Sequence, residues 1–121
     1  MHSDRLLDHF ENPRNVGKLE PPAIQAEVSN PACGDILVLS VMVDDERVSE
    51  VRYQVRGCTA SIAAGSALTE LMQGKTLAEA AALSRDDVET ALGGLRNESK
   101  HVAALAIDGV KAVVAAAKWA R

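Results

Sequence analysis

Apolar and polar residues change rhythm several times along this 121-residue chain. Asp4 to Phe10 reads as a short helix with Leu6, Leu7 and Phe10 on one side, and the stretch "ENPRNVGKLEPP" breaks it with prolines and a glycine. From Ala23 to Asn30, the apolar Ile24, Ala26 and Val28 alternate with Gln25 and Glu27, the period-two signature of a strand with one wet face. Ile36 to Val43 is apolar on both faces, as a central strand should be. Asp44, Asp45 and Glu46 supply a polar turn, after which Val51, Tyr53 and Val55 alternate with Glu50, Arg52, Gln54 and Arg56. The spacing predicts a hairpin and, with the first strand, a small three-stranded antiparallel sheet.

After Gly57 the period lengthens. "CTASIAAGSALTELM" carries Ile62, Leu68, Leu71 and Met72 among small residues, a helix able to lie very close to its neighbours. Two capping boxes follow, Thr76 to Glu79 and Ser84 to Asp87, each opening a short helix, with Gly93 and Gly94 stopping the second. The last helix, from about Glu98 to Trp119, repeats Val102, Leu105, Ala106, Gly109, Val110, Val113 and Ala117 at helical spacing and so presents a core face. Strands first and helices after predict an α+β class, with helices packed on one face of the sheet and one domain over residues 1–121.

Composition narrows this picture. The chain is 47% hydrophobic, mostly Ala, Val and Leu, with one Phe, one Tyr and one Trp, so its core must be made of small side chains packed closely. A net charge of -4 without a cluster of Lys and Arg gives no electrostatic footprint for nucleic acid or an anionic membrane. "MHSDRLLDHFENPRN" is charged every few residues, and no window reaches the roughly 18 apolar residues of a membrane span, so a soluble, cytoplasmic protein is expected. In that compartment Cys33 and Cys58, the two cysteines, are expected to be reduced.

Candidate chemistry gathers at the ends of elements. "NPACGD" makes a tight turn that presents Cys33 and Asp35 on a loop, where an exposed thiol needs a reason; the alternative reading of Cys33 is a loop cysteine without a role. "RGCTAS" puts Cys58 at a strand-to-helix junction, where unpaired N–H groups favour the thiolate that binds metal, or where a small residue fills space. His101 falls in the first turn of the last helix, with Asn97 or Ser99 as N-cap, at a position that favours neutral imidazole; a lone histidine is also commonly structural. Together, Cys33, Asp35, Cys58 and His101 offer two thiolates, a carboxylate and an imidazole. Such a set suits four-coordinate zinc (Zn2+) or part of the shell of an iron-sulfur cluster. A general-base dyad outside these residues is lacking, so a metal-binding protein is expected rather than an enzyme.

"DHFENPRNVG", "NPACGD", "RGCTASIAAGSALTELMQGKTLAEA" and "KHVAALAIDGVKAVVAAAK" closely resemble, in order and across nearly the whole chain, the U-type iron-sulfur cluster scaffold family, IscU or the N-terminal domain of NifU. That family presents three cysteines, an aspartate and a histidine to a nascent 2Fe-2S cluster, and zinc takes the same ligands. The resemblance implies that Cys33, Asp35, Cys58 and His101 are four of these five. It also implies a cysteine desulfurase as the sulfur donor and apo-proteins as clients. The family's third cysteine is replaced by Val102, and "LRN" at Leu95 to Asn97 stands where many members carry a Leu-Pro-Pro segment for their chaperone. The extra segment of the zinc-dependent sulfur-transfer branch is absent between Cys58 and His101. Two alternatives to the scaffold follow: a persulfide-transfer or desulfurase-activating protein, and a paralogue that keeps only the partner surface.

Overall fold

A computed structural model describes residues 2–31 and 34–119. Helix α1 (Asp4–Glu11) precedes the strands β1 (Ile24–Asn30), β2 (Asp35–Asp44) and β3 (Arg47–Arg56). Helices α2 (Thr59–Met72), α3 (Leu77–Ala81), α4 (Arg85–Ala91) and α5 (His101–Trp119) follow, with a 3-10 turn at Asn97–Ser99 ahead of the last. The strands form one antiparallel sheet in the order β1-β2-β3, as the alternation predicts. Asp45 and Glu46 take left-handed φ values of 51° and 66° in the turn that joins β2 to β3, the backbone that a two-residue hairpin requires.

Leu37, Leu39 and Val41 point from β2 into the core, where α5 packs on β1 and β2 and α2 packs on β3. All seven residues of the expected α5 face are buried, together with Ala103, Ile107 and Val114. The outward apolar residues of β2, namely Ile36, Val38 and Met42, are half-buried and Ser40 between them is buried, so the apolar run marks a central strand although the helices cover one face of it. Both capping boxes form: the Thr76 hydroxyl accepts from Glu79 N–H at 3.0 Å, and the Ser84 hydroxyl accepts from Asp87 N–H at 3.3 Å. Gly93 and Gly94, at φ 71° and 97°, end α4 as expected.

α2 packs as closely as its small residues predict, and two expectations, for α5 and α1, need correction. In α2 the residues at the core are Ala60, Ala63, Ala64 and Ala67 with Leu68 and Met72, while Ile62 and Leu71 are half-buried. The helix is squeezed between α1 and β3, and only small side chains fit on both sides. α5 begins at His101 rather than Glu98. It is entered through backbone hydrogen bonds of the 3-10 turn, Ser99 N–H to Arg96 O at 2.9 Å and Ala103 N–H to Lys100 O at 3.2 Å, where a side-chain cap from Asn97 or Ser99 was the expectation. In α1, Phe10 is 37% exposed, and the buried partner of Leu6 is His9.

His9 is inside because α2 offers it a polar partner. The Ser66 hydroxyl donates to His9 Nδ1 across 2.7 Å and accepts from the Arg14 backbone N–H at 2.9 Å, which leaves His9 Nε2 facing Glu70 at 3.6 Å. Burial pushes the His9 pKa down, with the Arg14 guanidinium acting the same way and Glu70 and Asp8 opposing it. The folded chain therefore holds His9 neutral, whereas the unfolded chain protonates it near pH 6.5. Stability from this group is complete above that pH and is lost as the pH falls below it. The urea midpoint is expected to drop between pH 7.5 and pH 5.5, and to drop less in His9→Gln; equal drops in both proteins would contradict this account.

Candidate metal centre

Antiparallel pairing brings the start of β2 beside the end of β3, with Ile36 opposite Arg56. Asp35, which opens β2, is thereby brought next to the Gly57–Cys58 junction that leads into α2. The 3-10 turn delivers His101 to the same end of the sheet as the first residue of α5. One carboxylate oxygen, the thiol and one imidazole nitrogen of Asp35, Cys58 and His101 lie within 4.8 Å of one another. His101 Nε2 is 3.6 Å from Asp35 Oδ2, and Cys58 Sγ donates to the same oxygen across 3.8 Å.

The three differ in exposure. Cys58 is exposed at the N-cap of α2, its carbonyl taken by Ser61 and Ile62 N–H at 3.1 Å each and its side chain free of capping duty. His101 is partly exposed. Asp35 is 4% exposed, which corrects the expectation that it sits on a loop. The turn closes early: Gly34, at φ 76°, donates its N–H to Asn30 O at 2.7 Å, so the ladder is already formed at the Asn30–Asp35 pair. Cys33, the remaining expected ligand, lies outside the described residues.

A buried carboxylate is costly without a cation or hydrogen-bond donors. Among the described residues the ion-pair partner of Asp35 is His101, a group that is cationic only when protonated. One soft thiolate, one imidazole and one carboxylate at this spacing can supply three of the four donors of a tetrahedral site, a set whose chemistry fits zinc or part of the shell of an iron centre. Val102 is 1% exposed within the core and is not among the residues that line the cleft around the trio, as its place about 100° around α5 from His101 dictates.

Gly57 is part of the site through its missing side chain. A Cβ there would stand 2.6 Å from Asp35 Oδ1, 2.8 Å from Asp35 Cγ and 2.4 Å from Ser61 Oγ. Gly57→Ala is expected to displace the Asp35 carboxylate and weaken zinc binding by roughly ten- to a hundredfold, the scale seen when a ligand loses its orienting contacts, while all donors remain. Competition with a chromophoric chelator checks this, and an unchanged affinity would mean that Asp35 need not hold its place.

The cleft, of about 410 Å³, is also lined by His2, Arg96, Glu98 and Ser99. Arg96 Nη2 lies 3.2 Å from His2 Nε2, and Arg96 Nε lies 3.2 Å from Glu98 Oε1. Burial, aided by the Arg96 guanidinium, pulls the His2 pKa down. Sequence reasoning missed these residues. Arg96 and Glu98 were signalled by their closeness to His101, whereas His2 reaches the site across a sequence separation of 94 residues.

Residues 1–120 match the sequence profile of the family described as NifU-like N terminal domain. The chain belongs to that family. Among NifU-like relatives, it is 43% identical over 114 residues to an iron-sulfur cluster assembly scaffold protein IscU of Archaeoglobus fulgidus, covering 94% of this chain and 74% of the relative. To the scaffold protein IscU of Escherichia coli it is 38% identical over 118 residues, covering 94% and 91%. The fold is shared with the N-terminal NifU-like protein from Brucella abortus, at a TM-score of 0.74 and 21% identity, covering 96% of this chain and 91% of that one. Among the described residues of this NifU-like chain, no helix is long and apolar enough to cross a membrane.

Proposed function

We propose that this chain is an iron-sulfur cluster assembly scaffold, a single domain over residues 1–121 that carries a 2Fe-2S cluster or zinc as cargo on Cys33, Asp35, Cys58 and His101. The observation that carries this reading is the convergence of Asp35, Cys58 and His101 within 4.8 Å at an accessible cleft. It is supported by relatives named as iron-sulfur cluster assembly scaffolds at 37–43% identity over about 94% of the chain. The protein acts as a carrier without turnover of its own. It receives sulfur from a cysteine desulfurase in the cytoplasm and passes the cargo to apo-proteins. Anaerobic reconstitution with ferrous iron and sulfide, followed by iron and acid-labile sulfide assays and an absorption spectrum, tests it. Visible charge-transfer bands are expected for the cluster, while zinc is silent; uptake of neither metal would overturn the proposal.

The exposed Cys58 thiol at a helix start favours one further reading, in which it accepts sulfur as a persulfide. Intact mass after incubation with the desulfurase and cysteine would then show a gain of about one sulfur atom, and an unchanged mass would remove this reading.

A further inference from the structure

One polar atom in the cleft wall is left over. His2 Nδ1 is buried and has no hydrogen-bond partner among the described residues, although His2 lines the same cleft as Asp35, Cys58 and His101. The other ring nitrogen settles what this atom is. A guanidinium has only donors, so the 3.2 Å contact from Arg96 Nη2 makes His2 Nε2 the acceptor and places the ring proton on Nδ1. Arg96 is in turn held by Glu98 at 3.2 Å. His2 therefore presents an N–H without an acceptor, not a lone pair, and in this state it is not a metal donor. It also stands outside the trio whose ligand atoms lie within 4.8 Å of one another.

Buried N–H groups without an acceptor are rare and costly, and none is present for His2 Nδ1 among the described residues, so the cleft that His2 lines is where a ligand can supply one. The ligand atoms of the trio serve the metal part of an iron-sulfur cargo, and its anionic sulfur needs an N–H or O–H donor instead. We infer that His2, held in its tautomer by Arg96, donates a hydrogen bond from Nδ1 to a sulfur anion in this cleft. That sulfur is a sulfide of the bound cluster or the terminal sulfur of a persulfide on Cys58. The inference rests on the scaffold reading for the first source and only on Cys58 for the second.

The test compares wild type, His2→Ala and His2→Asn, the last placing an amide N–H near the position of Nδ1, with any purification tag at the C-terminus. In the cluster arm, each protein is reconstituted anaerobically, and the reduction potential and the rate of iron loss to a chelator are measured. A hydrogen bond to cluster sulfur raises the potential, so His2→Ala should have a lower potential and lose iron roughly tenfold faster, the worth of one charge-assisted hydrogen bond. His2→Asn should recover most of both. In the sulfur arm, Cys58 is loaded with inorganic polysulfide: the thiolate attacks a terminal sulfur, and a polysulfide one sulfur shorter leaves with the electron pair. Alkylation of the Cys58 persulfide, followed by peptide mass, should be faster in His2→Ala than in wild type, since the donor quiets the sulfur anion.

A change in the first arm alone assigns His2 to cluster sulfide, and a change in the second alone assigns it to the persulfide. No change in either arm, or a loss in His2→Ala that His2→Asn does not restore, overturns the inference. If wild type itself takes up no iron and sulfide, the scaffold reading falls, and the sulfur arm still decides the role of His2.

Discussion

Cys58→Ala is expected to emerge from anaerobic reconstitution without a cluster and with zinc affinity at least a hundredfold weaker than wild type. The loss of an outer partner of a ligand already costs about ten- to a hundredfold, and Cys58 is the thiolate of the converging trio. Without it, Asp35 and His101 offer a hard oxygen and an imidazole beside the one remaining thiolate expected from Cys33, a set too poor in sulfur for a cluster whose usual ligands are thiolates. The protein should otherwise be intact. Cys58 is exposed and does not cap α2 with its side chain, so the substitution should change stability by less than about 0.5 kcal/mol. Iron, sulfide and zinc assays beside a thermal melt separate the two quantities. A variant that melts like wild type and still binds a cluster at full occupancy would show that Cys58 is not a ligand.

Gly65→Ala should damage the fold instead. A Cβ at Gly65 would stand 2.3 Å and 2.4 Å from Cδ2 and Cε2 of Tyr53, closer than any real contact. The ring is pinned against retreat. Tyr53 is 2% exposed, its hydroxyl donates to Ile62 O at 2.8 Å, and burial pushes its pKa up to about 12. Its backbone is held on the outer side by Asn15 and Gly17, through hydrogen bonds of 2.9 Å each. α2 must then shift away from β3, an overpacking cost of about 1–3 kcal/mol or more, which the better helix propensity of alanine offsets by about 1 kcal/mol. With the ring unable to retreat, the cost lies at the top of that range, and the net loss near 2 kcal/mol corresponds to a melting temperature lower by about 5–10 °C for a chain of this size. A melting temperature equal to wild type would mean that the helix and strand are not in register as described.

The sheet was legible because strand periodicity is local: Ile24, Ala26 and Val28 alternate within one element, and the structure leaves them half-buried on an edge strand. The capping boxes at Thr76 and Ser84 are local too, since each closes within three residues. Burial in α2 was less legible, because it depends on two neighbours at once and alanines carry little periodic signal. The choice between His9 and Phe10 turned on Ser66, a partner 57 residues away that no window along the chain can reveal. At the site, Asp35, Cys58 and His101 were readable as residues at element ends that an α+β domain can bring together at one end of its sheet, and the resemblance implied the same group. The depth of Asp35 and the part played by His2 were not, because the first depends on where a turn closes and the second on a contact with Arg96 across 94 residues of sequence.

The three converging ligands belong to three separately docked pieces: the head of the sheet, the start of α2 and the start of α5. An ion shared among them is thermodynamically a cross-link, one that exists only when all three pieces are in place. Binding and folding are then linked functions, and saturation at a hundred times the dissociation constant adds about 2.7 kcal/mol to the unfolding free energy. Delivering the cargo removes that tie. On that linkage an emptied form would be the looser of the two, its three pieces tied only by the packing of the fold.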